Sequence, residues 1–455
     1  GYQRVWAEWY RGYVKSFHRY YIYNGDHKVY QKRRSLNMAK TVCERCASLL
    51  MNEKTQISVA DEAAQEAVKD IFSHNKFETK LNAQIEKSFA VGMGAIVERL
   101  AGAEFDLDTG EMVSCDNAKI KLDFVCGRNI YPLTVDDDGI VECAFLSRKG
   151  KDVSVSLHLL DDNGNYVIHN IIGTMSETGD ISYDADKGYY SFDTGSSRRW
   201  FQIIKPNVEN NIQEDSPLGI SVFANGLSAL EAVDITFDSL PQEFILGKKR
   251  LYVSVEAMKP AEGANGEMTN TFDPNDIFFY RLPLSDKNDK PFVEESNGLL
   301  RVGEINQGIQ TALNVLSTKC GFGEGQFNYN NGTITTATQI ISQNSEMFRN
   351  VKKHEKLISD VITDCVQTIL YILRTFMHQS YKELCDDEIT VTFDDSIIED
   401  KNSEMLRDLQ VVSNRLMKRT EFRKKYFGEN DDEAATSIKE IDAEQPQAVD
   451  IFSMT

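Results

Sequence analysis

Between Thr336 and His378 the chain contains neither glycine nor proline, and its apolar residues hold to one helical face. Ile340, Met347, Val351, Ile358, Val361, Cys365, Thr368, Ile372 and Phe376 recur at helical spacing. The pattern predicts one helix of about forty residues and ~60 Å, where an ordinary helix has about three turns. An unbroken element of that length suggests a part that spans something, and hence a building block of a larger assembly.

The other 400-odd residues read as two to four regions, because a chain of 455 residues exceeds one compact core. The first ~95 residues read as mainly helical. Ser35 is a candidate cap for a helix with Leu36, Ala39, Cys43, Cys46 and Leu50 in phase, and Asp61 for a second. A third runs from Lys76 to Val91 and stops at Gly92. From Ala95 to Lys205, Val/Ile/Tyr/Phe runs alternate with turn clusters such as Asp161-Asp162-Asn163-Gly164, which predicts antiparallel strands. Ser216-Pro217 should open a helix through Ile220, Phe223, Leu227, Leu230, Val233, Phe237, Leu240 and Phe244, kinked or ended early by Pro241.

Residues 249 to 300 read as a small module with β-runs at Arg250–Val255 and Ile277–Leu282. A helix over Val302–Cys320 stops at Gly321, and a loop with three glycines, Phe322 to Thr335, leads to the long helix. Ile389–Phe393 reads as a strand, and Ser403–Met417 and Thr420–Phe427 as helices. The last 25 residues read as loosely structured.

The net charge of -20 argues against a domain that grips nucleic acid by neutralising phosphates, although it suits a surface past which DNA slides. Basic residues gather at Lys32-Arg33-Arg34 and at Arg415, Lys418, Arg419, Arg423, Lys424 and Lys425. The eight cysteines are sparse and read as free thiols in a reducing compartment. No run of 18 apolar residues predicts a membrane span, and the aromatic, charged start is not a secretory signal.

Motifs for chemistry are absent. No phosphate-binding G-x-x-x-x-G-K-[ST] occurs, and His354-Glu355 lacks the second histidine of a zinc protease helix. Cys43-x-x-Cys46 has ligand spacing but no second pair, so core packing is the preferred reading. Thr134 to Phe145 overlays a calcium loop but fails at its first and twelfth positions, which favours an acidic hairpin turn.

Several segments resemble portal proteins of tailed bacteriophages, in the group from phages of Gram-positive hosts. They are Trp6-x-x-Trp9-Tyr10-x-Gly12, the stretch Lys32 to Glu53, Ser216-Pro217-Leu218-Gly219-Ile220-Ser221, Asp238 to Val253, Thr335 to Ile340 and Val391 to Asp400. The resemblance implies an α+β portal-protein fold. Its parts would be a wing (1–215), a first stem helix (216–248), a small β-containing clip (249–301) and a second stem helix (302–321). A tunnel loop (322–335), a long wing helix and strand (336–400) and a helical crown with C-terminal tail (401–455) would follow.

It further implies a ring of copies of the chain, a dodecamer, at the portal vertex of a virion, assembled in the host cytoplasm. Double-stranded DNA would pass through its channel during packaging and ejection. Terminase, a head-completion or adaptor protein, and the major capsid and scaffolding proteins would be partners, with no membrane, cofactor, metal or catalysis. The implied channel residues are Phe322, Glu324, Gln326, Phe327, Asn328, Tyr329, Asn330 and Asn331. Arg415, Lys418, Arg419, Arg423 and Lys424 would offer a DNA contact in the crown, and Phe272, Asp273, Asp276, Phe278 and Tyr280 a docking surface in the clip. Two departures stand out: Pro241 within a stem helix, and a tunnel loop without Lys or Arg. The alternatives are another virion component, such as a head-tail adaptor, and a metal-dependent nuclease using Asp394, Asp395 and Glu399.

Overall fold

The computed structural model describes the chain apart from residues 25, 107–111, 116, 137–138, 177, 179–180, 184–188, 215, 255–260, 263–265, 267, 270–278, 283–292, 330–336, 394–400 and 445–455. The aromatic start folds as α1 (Tyr2–Tyr10), which buries Trp6 and Trp9. After the single turn α2 (Lys15–His18), β1 (Arg19–Asn24) and β2 (His27–Lys32) form an antiparallel hairpin, registered from Arg19↔Lys32 to Asn24↔His27. The helical reading of this region misses it, because a run of Tyr, Ile and Val favours the pleated surface over the helix.

The helices α3 (Met38–Leu50), α4 (Glu62–Asn75) and α5 (Phe77–Val91), with β3 (Gln56–Val59) before α4, follow the predicted pattern closely. Asp61 caps α4 as expected, its Oδ1 accepting from the Ala64 N–H at 2.8 Å. Ser35 does not cap α3; Asn37 holds that position in the left-handed region, and the Ser35 hydroxyl accepts from the Asn37 N–H. Cys43 and Cys46 are buried in the core, and burial raises both thiols, Cys46 to about 12.

Strands then dominate: β4 (Gly94–Ala101), β5 (Glu104–Phe105), β6 (Met112–Ser114), β7 (Lys119–Cys126), β8 (Ile130–Asp136), β9 (Gly139–Lys149) and β10 (Asp152–Leu160). β11 (Tyr166–Met175), β12 (Ile181–Tyr183), β13 (Tyr189–Asp193) and β14 (Phe201–Ile204) complete them. Six form an antiparallel sheet ordered β12-β11-β10-β9-β8, with β13 also on β11, and β14-β4-β7 form a second. The Asp161–Asn165 turn joins β10 to β11 as expected, with Asp161 Oδ1 accepting from the Asn163 and Asn165 N–H groups. The calcium-like stretch from Thr134 is instead the β8–β9 hairpin, paired from Ile130↔Phe145 to Asp136↔Gly139.

Ser216-Pro217 opens no helix. The helix α6 begins ten residues later and spans Leu227–Leu246. Tertiary contact overrides the local signal: the Val222 N–H donates to the Phe89 carbonyl at 2.9 Å, and Gly219 lies against Gly92. A Cβ on Gly219 would stand 2.2 Å from the Gly92 carbonyl oxygen, so this crossing requires glycine. Pro241 sits inside α6 without ending it.

The strands β15 (Arg250–Ser254), β16 (Ala261–Glu262), β17 (Met268–Thr269), β18 (Phe279–Leu282) and β19 (Val293–Ser296) separate α6 from α7 (Val302–Lys319). β15 pairs in parallel with β18 and antiparallel with β19, a strand the sequence reading lacks. Then comes α8 (Ala337–Thr375), 39 residues long. Met347, Val351, Ile358, Val361, Cys365, Thr368 and Ile372 are buried on the predicted face, and Ile362, Val366, Ile369 and Leu373 bury other faces as well. The C-terminal half of α8 is therefore a central column of the main core.

β20 (Ile389–Thr392) returns to pair with β3, and α9 (Lys401–Ser413) and α10 (Arg419–Phe427) follow as predicted. The tail departs from expectation: Asp431–Glu444 is a helix, α11, which buries Ala434. Asn430 starts it, accepting from the Glu433 N–H and donating its own N–H to Glu433 Oε2, a reciprocal cap within an acidic, polar stretch. No helix among the described residues is long and apolar enough to cross a membrane.

Candidate functional site

The turn between α7 and α8 is the natural starting point, because two long helices meet there. Gly321, Gly323 and Gly325 all have positive φ, 75° to 78°, so the chain coils tightly after α7. The coil turns Phe322 and Phe327 inward, where both are buried and their rings meet edge to face at 5.6 Å. Arg45 of α3 clamps the outside of the turn: its guanidinium donates to the Gln326 carbonyl at 3.1 Å and to Gln326 Oε1 at 2.8 Å. It also lies over the Phe327 ring at 5.7 Å. From α7, Gln310 donates to the Phe327 carbonyl and accepts from the Tyr329 N–H, both at 2.9 Å.

The segment up to Tyr329 is thus a stapled turn and not a free loop. Phe322 and Phe327, expected at a channel wall, belong to the core, and Gln326 is engaged by Arg45. Glu324 and Asn328 are exposed, and Tyr329 is half-buried against the core. Asn330 and Asn331 lie outside the described residues.

The α6–α7 pair is closed at the far end by an ion pair. Arg301 donates to Glu243 through its backbone N–H, Nε and Nη2 at 3.0, 3.1 and 2.8 Å. Those bonds hold the Glu243 carboxyl well below its usual range, at about 2. Beyond Pro241 the helix leaves the core, and Phe244, Ile245 and Leu246 are exposed.

The column α8 is tied to the strands by polar bonds. Tyr371 donates to the Thr194 carbonyl at 2.6 Å, Thr368 to the Arg199 carbonyl at 3.2 Å, and His354 Nδ1 accepts from the Asn207 N–H at 3.0 Å. Glu98 of β4, 1% exposed, is hydrogen-bonded with the Cys365 thiol of α8 and faces the Gln202 amide. Burial raises its carboxyl from 4.5 to about 8.

The basic cluster is largely engaged within the chain. Arg423 donates two hydrogen bonds to the Glu429 carboxylate at 2.6 and 2.7 Å, and Lys424 and Lys425 reach Asp431 and Asp408 at 2.9 and 2.8 Å. Arg415 and Lys418 are exposed beside them. Of the five residues expected on a docking surface, Tyr280 lies in β18, and Phe272, Asp273, Asp276 and Phe278 fall outside the described residues, as do Asp394, Asp395 and Glu399. Among the described residues no group of three or more His, Cys, Asp or Glu could hold a metal ion.

A model of the family described as phage portal protein, SPP1 Gp6-like, matches residues 3–449. The chain belongs to that family. It is accordingly a structural, non-enzymatic portal protein. Among solved structures it is similar to a chain of the neck of the native GTA particle computed with C12 symmetry. The two are 9% identical with a TM-score of 0.44, over 85% of this chain and 88% of that one. No curated protein matches.

Sequence reasoning about this portal protein missed Arg45 and Gln310. Arg45 carries one faint signal, a cation among the apolar positions of a strongly amphipathic helix. Its partner stands 281 residues away and leaves no local trace.

Proposed function

We propose that this portal protein is the subunit of a twelve-membered ring through which double-stranded DNA enters and leaves the capsid. In this reading α6 and α7 are the stem, residues 249–301 the clip, and the turn before α8 the collar of the channel. The clip takes terminase during packaging and a head-completion protein afterwards. The observation that carries the reading is the stapled turn at 321–329, held by α3 and α7 at the root of the 39-residue column α8. Such a turn offers DNA a stiff rim with exposed Glu324 and Asn328 and, the clamping Arg45 of α3 apart, no cation of its own. A rim of that chemistry, on a chain of net charge -20, repels the duplex backbone and lowers friction where a basic rim would hold it.

Imaging the purified chain by negative stain tests the ring: a closed ring with a central hole is expected, and a monomer or fibre overturns the reading. Packaging tests the rim. Replacing Glu324 and Asn328 with lysine should leave rings intact and slow DNA translocation by at least several-fold. Unchanged packaging would remove this turn from the channel.

A further inference from the structure

The β1–β2 hairpin is a two-stranded sheet that pairs with no other strand among the described residues. A ribbon of two strands is marginal in water unless a face is covered. Here Tyr21, Ile22, Tyr23, Val29 and Tyr30 are all exposed, Tyr23 by 69% and Tyr30 by 60%. The surface is also basic. From residue 19 to residue 34 the sequence carries Arg19, Lys28, Lys32, Arg33 and Arg34 against a single acid, Asp26, in a chain of net charge -20. Lys28 stands 3.4 Å over the Tyr21 ring and Arg19 4.5 Å over Tyr30, an arrangement that pre-sets aromatic and cationic groups for contact.

The base of the hairpin is rigid. His18 and Leu36, on either side of it, both bond to Asp234 of α6, and the Arg34 N–H donates to Asp238 one turn on. A firmly rooted arm with exposed apolar residues along both strands is built to reach a partner.

The same chain carries a surface of complementary kind. β8 is an edge strand of the six-stranded sheet, and Tyr131, Leu133 and Val135 are exposed on it. Its end is acidic, with exposed Asp136 followed in sequence by Asp137 and Asp138. Long exposed apolar edges invite a further strand. We infer that the β1–β2 hairpin of one copy docks on the β8 edge of the next, basic arm to acidic edge. Two different surfaces of one chain meeting in this way make a head-to-tail contact, the kind that closes a ring. The inference rests on the ring reading above and assigns it an interface.

A photo-crosslinking residue in place of Tyr23, in the full chain, tests this inside assembled particles. Native mass spectrometry first establishes the assembly state. The expected result is rings whose adducts join the hairpin to residues 130–136 of another copy. Lys28→Glu should lower the fraction of chain in rings at least tenfold, with circular dichroism and thermal unfolding unchanged, and adding Asp136→Lys should restore most of it. Intact rings with no adduct, or with adducts elsewhere, overturn the hairpin inference and leave the ring standing. Wild-type chain that forms no ring overturns both.

Discussion

His18 Nε2 lies 3.0 Å from Asp234 Oδ2, a buried contact between residues 216 apart that ties the N-terminal segment to α6. His18 is itself wrapped by Trp9 and Phe17, with ring centroids at 5.5 and 4.9 Å. The second oxygen of Asp234 accepts from the Leu36 N–H at 2.8 Å, so one carboxylate holds both segments that flank the hairpin.

Removing that carboxylate leaves a buried imidazole and a half-buried N–H without their acceptor. We predict that Asp234→Ala lowers stability by about 3 kcal/mol, within the range for breaking a buried pair. Urea unfolding measures it. A loss below about 1 kcal/mol would show that the contact is incidental.

The stapled turn should lose its shape when the clamp goes. Arg45→Ala removes two hydrogen bonds to Gln326 and the cover over Phe327. The expected loss is about 1–3 kcal/mol, with new proteolytic cleavage between residues 321 and 329. Phe322→Ala should cost about 3–5 kcal/mol, as for other large core truncations. A protease pattern identical to wild type would contradict the stapled geometry.

Glu98 predicts a loss of stability towards alkaline pH. Its carboxyl rises from 4.5 to about 8 on folding, so between these values the folded chain keeps a proton that the unfolded chain has released. Its contribution is complete below about 4.5 and declines as pH climbs to 8. Glu98→Gln should flatten that slope by about one proton and raise the melting temperature at pH 8 relative to wild type. An unchanged slope in pH-dependent unfolding would rule the group out.

Histidines predict the opposite flank. Burial between Phe145 and Phe201 takes His158 from 6.5 down to about 3, and burial in α8 takes His354 to about 4. Both stay neutral in the folded chain while the unfolded chain gains protons, so stability is complete above 6.5 and falls as pH drops below it. His158→Leu should remove about one proton from the acid slope, measured by urea unfolding between pH 4 and pH 7.

What could be read from the residues alone depended on how local the cause was. The column α8, the Asp61 cap and the turn at Asp161 are written in neighbouring residues, and the structure places them as expected. The start of α6 was not legible, because the contact that keeps residues 216–223 out of the helix joins Gly219 to Gly92 across the fold. The hairpin was passed over although its Tyr, Ile and Val favour strand, because the segment is short and stands between helical patterns. At the candidate site, spacing located the turn between α7 and α8, yet its glycines and amides read as looseness. Only the distant Arg45 and the geometry of three positive-φ glycines reveal that they fold the aromatics inward.

The turn has a bearing on how such a chain can change over generations. Gly321, at φ 78°, is pressed against the Asn350 amide of α8: a Cβ there would meet Asn350 at 2.3 Å. Gly321→Ala therefore carries two penalties, roughly 1 kcal/mol of left-handed strain and a collision that truncating Asn350 would relieve. The double variant with Asn350→Ala should be more stable than the sum of its singles. These two positions inherit change jointly, and a lineage that reshapes the turn must first pass through an altered column.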